Sequence, residues 1–205
     1  MIELDVFLPK ILPRVEGAAR PAVYDAIRVA AQEFCTRTRL WRETDTLQTV
    51  SDDLDIVAVP QGAVLFEIES ARFEGHELEP QSISWLDDNV ARWRESTADM
   101  PRHITQTEPD TVRLVPMATG TLDLSLYLKP ADDARHLPDW MGNHYKQVIA
   151  DGALAELLTM PGQAYTSPEL AMFYSDRFDK RVTLLSSANL KGQQKARVRT
   201  KPHFF

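Results

Sequence analysis

The sequence predicts an α+β fold. One N-terminal and two C-terminal helices form a bundle, an antiparallel β-module is inserted between them, and an extended C-terminal arm follows. Three observations carry this. Apolar residues recur at helical spacing near both ends of the chain, at Val23, Ile27, Ala30, Ala31 and Phe34 and again at Val148, Ile149, Leu154, Leu157 and Leu158. Between them, from about 40 to 130, the period is two, clearest at Leu122, Leu124, Leu126 and Leu128. The charge is also lopsided. The 26 residues from Lys180 to Phe205 hold seven Lys/Arg and no acid, so with −7 overall the residues before Lys180 carry −14. A segregated charge of this kind is not needed for folding and suggests a tail that meets an acidic partner.

The lead-in, Ile2 to Glu16, has closely spaced Phe7, Leu8, Ile11 and Leu12 and is expected to pack on the domain as a helical turn. Pro21 suits the first turn of a helix running to Thr38. Cys35 falls near its buried stripe, as a small core hydrophobe. Trp41, Glu43, Asp45, Leu47 and Thr49 alternate as in a strand, and Ile56–Val59 is a short strand stopped by Pro60. Val64 to Phe73 is a strand, Glu74-Gly75-His76 a tight hairpin, and Ser82 to Arg94 a helix with Ser82 or Ser84 as cap. Strands at Arg102–Gln106, Thr111–Val115 and Thr121–Leu128 complete the module. Pro138 opens a helix to about Thr159, interrupted by Gly152 at a cost of about 1 kcal/mol unless a neighbour packs closely there. Thr166-Ser167-Pro168-Glu169 starts the last helix, with Leu170, Phe173, Tyr174, Phe178, Val182 and Leu185 on its stripe. The bundle core is then expected to hold Val23, Ile27, Phe34, Val148, Leu154, Leu157, Phe173 and Phe178. The divisions are 1–40 for the lead-in and first helix, 41–130 for the β-module, 131–190 for the helix pair and 191–205 for the arm.

Little here points to catalysis. There is no Gly-rich phosphate loop and no G-x-S-x-G. Asp132, Asp133, His136, Asp139 and His144 offer oxygen and imidazole ligands in a short span, the basis for a runner-up reading as a metal-dependent hydrolase around Asp133, His136 and His144. The set lacks the i, i+4 His pair and Glu of a zincin helix, and Pro138 divides it. An acidic flank to the helix beginning near Pro138 is the simpler account. No catalytic residue, metal or cofactor is assigned. The one cysteine suggests a reducing compartment, and no apolar run reaches the roughly 20 residues of a membrane span. The arm carries Lys191, Lys195, Arg197, Arg199 and Lys201 and ends in Phe204 and Phe205. Its cations could meet phosphates or an acidic protein, and the two rings favour a protein pocket.

Three stretches resemble the head–tail adaptor (connector) proteins of short-tailed bacteriophages, of the tubular-tail and stopper-ring kind. They are Val23–Arg28 through Glu33–Trp41, the β-insertion ending in Thr121–Pro130, and Pro138-Asp139-Trp140 with the helix pair around Pro161–Tyr165 and Phe173–Phe178. The resemblance implies a virion protein, assembled in the host cytoplasm, that forms a ring of typically twelve subunits beneath the portal. It implies docking to the portal through the C-terminal arm, a platform for nozzle or other tail proteins, and genomic DNA only as passing cargo. The alternative is another tail ring or adhesion component whose β-module binds a partner or glycan.

Overall fold

The computed structural model describes residues 1–51 and 55–189. In chain order the elements are β1 (Ile2–Glu3), α1 (Leu8–Ile11), α2 (Arg20–Thr38), β2 (Arg42–Thr49), β3 (Ile56–Val57), β4 (Ala63–Phe73), β5 (His76–Glu77), β6 (Glu79–Pro80), α3 (Ile83–Asn89), β7 (His103–Thr105), β8 (Thr111–Val115), β9 (Gly120–Pro130), β10 (His136–Leu137), α4 (Asp139–His144), α5 (Lys146–Thr159) and α6 (Pro168–Asn189). The protein is mixed α+β, and contacts divide it into two units, Met1–Leu40 with the chain from Pro130 on, and Trp41–Lys129.

In the first unit β1 pairs antiparallel with β10, tying the lead-in to the segment before α4. Short 3-10 turns flank α1, and Leu4, Phe7, Leu8, Ile11 and Val15 are buried. Helix α2 carries Pro21 in its first turn and stops at Arg39, whose φ of 52° leaves the helical region. Helix α5 contacts α1, α2 and α6. Enclosed on several sides, it buries Val148, Ile149, Ala150, Asp151, Ala153, Leu154, Leu157 and Leu158, more than a one-sided stripe. The sequence suggested one helix from Pro138 to Thr159. The structure has two, because Tyr145 leaves the helical region at φ −122°, ψ 11°. The break sets its ring 5.0 Å from Phe34 and 5.7 Å from Trp140, centroid to centroid, so aromatic packing offsets the lost helical turn.

In the second unit one sheet runs β2-β9-β4-β5 and another β3-β8-β7-β6. Leu122, Leu124, Leu126 and Leu128 of β9 are buried, as the period-two pattern requires. Glu74 and Gly75 both have positive φ, 47° and 81°, which is the backbone a two-residue hairpin turn between β4 and β5 demands. Two expectations need correction. The module is not wholly antiparallel: β6 pairs parallel with β7, because the chain between them passes through α3 and returns in the same direction. The helix expected over Ser82–Arg94 ends at Asn89, and Val90 is extended at φ −124°, ψ 103°. Its capping is as read, with Ser82 Oγ accepting from Trp85 N–H at 3.2 Å. Beyond the helix, Trp93 turns inward to pack with Leu86, Val90 and Val115.

Candidate functional site

The candidate surface of the first unit is built from α2, α5 and α6. Val23, Ile27, Phe34, Val148, Leu154, Leu157 and Phe178 are buried where these helices meet. Phe173 is not a core residue: it is 53% exposed, and Leu170 is exposed with it. The inward stripe of α6 is Ala171, Tyr174, Phe178 and Val182, and Phe173 lies about 100° around the helix from Tyr174. Its ring is edge-on to Tyr174 and lies under the Arg177 guanidinium. Gly152 brings α5 close to both neighbours. A Cβ there would stand 2.9 Å from Ala30 Cβ and 3.0 Å from the Phe178 ring.

This close approach floors a groove of about 730 Å³ between the three helices. Val29 and Glu33 of α2 form one wall, Glu156 of α5 lies along the base, and Met172, Asp176 and Asp179 of α6 form the other wall. Val29 and Met172 expose apolar surface here, Met172 to 74%. Arg37 ties α2 to α6 by donating to Asp179 at 2.5 Å and to Glu33 at 2.8 Å. The Asp179 bond, above all, holds the guanidinium pKa above its ordinary value. Lys180 pairs with Asp176 at 2.6 Å, and Glu156 has no ion-pair partner among the described residues. The groove therefore joins excess carboxylate to exposed apolar surface.

Two of the residues weighed as metal ligands, Asp132 and Asp139, have other side-chain partners. Asp132 Oδ1 accepts from Gln32 Nε2 at 2.7 Å, Asp139 pairs with the Met1 amine at 2.7 Å, and His136 sits in β10 opposite Glu3. Asp133 and His136 line a pocket of about 520 Å³ with Arg28 and Arg135, so cations are mixed with the acids. Among the described residues there is no group of three or more His, Cys, Asp or Glu that could hold a metal ion.

The sequence model of the SU10 adaptor protein family matches residues 8–202. The chain belongs to this family of phage head–tail adaptors. The match takes in both units and runs into the basic arm. No curated protein matches the chain. As a head–tail adaptor it is a structural component of the virion.

The adaptor's arm residues, Lys191, Lys195, Arg197, Arg199, Lys201, Phe204 and Phe205, lie outside the described residues. No helix among those described is long and apolar enough to cross a membrane. In the adaptor's β-module a polar cluster clamps β2, β4 and β9. Arg42 Nε lies 2.6 Å from Glu69 Oε2, Ser125 donates to the same oxygen at 2.5 Å, and Tyr127 donates to Oε1 at 2.8 Å. Burial alone would raise the Glu69 pKa, but the two hydroxyl bonds and the guanidinium outweigh it and hold the carboxyl below its usual range. The groove acids were missed in sequence because Glu33, Glu156, Asp176 and Asp179 come from three helices. The only signal was the strongly acidic character of the chain before Lys180.

Proposed function

We propose that this chain is a non-enzymatic adaptor whose copies close into a ring of twelve beneath the portal, joining the capsid vertex to the tail and extending the DNA channel. The family match over residues 8–202 carries this reading. In it α2, α5 and α6 act as a three-helix bundle that builds the ring wall, and residues 41–130 present a platform to nozzle or other tail proteins. The exposed apolar residues of α6, among them Phe173 and Leu184, support a subunit contact, since such side chains gain by being covered. A net negative body suits a channel that DNA must pass without being gripped.

The arm is the portal-docking element, with its five cations meeting portal acids and Phe204-Phe205 entering a pocket. Deleting residues 191–205 tests this. The truncated protein is expected to keep its circular dichroism and melting temperature yet fail to co-sediment with portal rings. Undiminished co-sedimentation contradicts the arm's role.

A further inference from the structure

The groove between α2, α5 and α6 and the basic segment after α6 match in two respects at once. The groove offers four carboxylates, Glu33, Glu156, Asp176 and Asp179, with exposed Val29 and Met172 beside them. Only Arg37 and Lys180 pair with those acids among the described residues. The segment Lys191–Phe205 offers five cations, no acid, and two terminal aromatic rings. Charge would align the two, and the rings would cover the apolar wall. We infer that, in the free protein, the arm seats in the groove of its own chain. This goes beyond portal docking and does not depend on it.

The chain's reach allows it. Helix α6 forms one wall of the groove and is described to Asn189. From Asn189 back to Asp176 is about 20 Å along the helix at 1.5 Å per residue. Six residues can span at most about 20 Å, so Lys195 is within reach of Asp176. The residues from Arg197 to Phe205 then have length to spare for the far end of the groove, near Met172. A tether this short gives an effective concentration on the order of millimolar, so a weak electrostatic fit within one chain outcompetes the same fit between dilute chains. A portal would then have to draw the arm out of the groove before binding it.

Paramagnetic broadening in the full chain tests this directly. A nitroxide is attached through His203→Cys. Cys35 does not compete for the label, because it is buried and its thiol pKa is pushed up by burial. In about 0.1 M salt the amide signals of Val29, Glu156 and Met172 are expected to broaden, equally at all protein concentrations. They are expected to sharpen in about 1 M salt, where the Debye length falls to about 3 Å, and in the variant carrying Glu156→Lys with Asp176→Lys. Both positions are exposed, and an unchanged circular dichroism spectrum checks that the variant folds. Absence of groove broadening in low salt overturns the inference. So does broadening that survives charge reversal, and so does broadening transferred to isotope-labelled chains lacking the nitroxide, which would place the arm on a second copy. Portal capture by the same protein is scored separately. Capture without groove broadening defeats this inference alone, and groove broadening without capture defeats the portal-docking role of the arm alone.

Discussion

Arg177 of α6 reaches into α5, where its Nε donates to Asp151 Oδ2 at 2.8 Å, and Asp151 is fully buried. The other carboxylate oxygen accepts from Gln147 Nε2 at 2.8 Å. The pair fixes the register of the two helices that form the base and one wall of the groove. Removing the guanidinium strands a buried carboxylate. Arg177→Ala is expected to cost about 3 kcal/mol, the low end for a broken buried pair because Arg177 itself is partly exposed. Asp151→Leu with Arg177→Met removes both charges and is expected to recover most of that loss. Urea denaturation of the two variants checks the ordering.

Gly152 is where helix propensity and packing oppose each other. Propensity favours Ala by about 1 kcal/mol. The added methyl would meet Ala30 and the Phe178 ring at 3.0 Å or less, and overpacking costs about 1 to 3 kcal/mol. Gly152→Ala is therefore expected to lower the melting temperature. A raised melting temperature would show that α2 and α6 can yield at this point.

The Glu69 cluster gives the β-module an acid-sensitive clamp. Its folded-state pKa is lowered from the ordinary glutamate value. The ionised form thus contributes stability that is whole above about pH 4.3 and is lost as pH falls through the folded value. Asp87 adds in the same direction, lowered first by the hydrogen bond from Arg94 and then by that from Trp93. Urea midpoints followed by tryptophan fluorescence are expected to fall on acidification below about pH 4.3, and to fall less in Glu69→Gln.

Much of this was legible in the sequence, and what was not has physical reasons. The stripe Val23, Ile27, Ala30, Ala31 and Phe34 and the alternating leucines of β9 are buried, because one period dominates each segment. Tyr145 falls inside the helix expected from Pro138 to Thr159, yet the helix breaks there and its ring packs against Phe34 and Trp140, a long-range contact that local spacing does not encode. Phe173 was read as core because it is apolar and near the stripe. The neighbouring Tyr174 holds the inward position, since only its spacing to Phe178 and Val182 keeps one face. Asp151 is buried against a partner 26 residues away on another helix, which local pattern does not reveal. The parallel β6–β7 pair depends on the path of the crossover, which local pattern does not encode.

The native mass of the full-length protein, alone and then mixed with its portal ring, tests the adaptor account most directly. The account predicts a protein that joins the portal as a closed ring of its own copies, with a mass increment that is a whole multiple of the 23.2 kDa chain. A protein whose mass is unchanged by the portal, at concentrations well above the micromolar range, would contradict it.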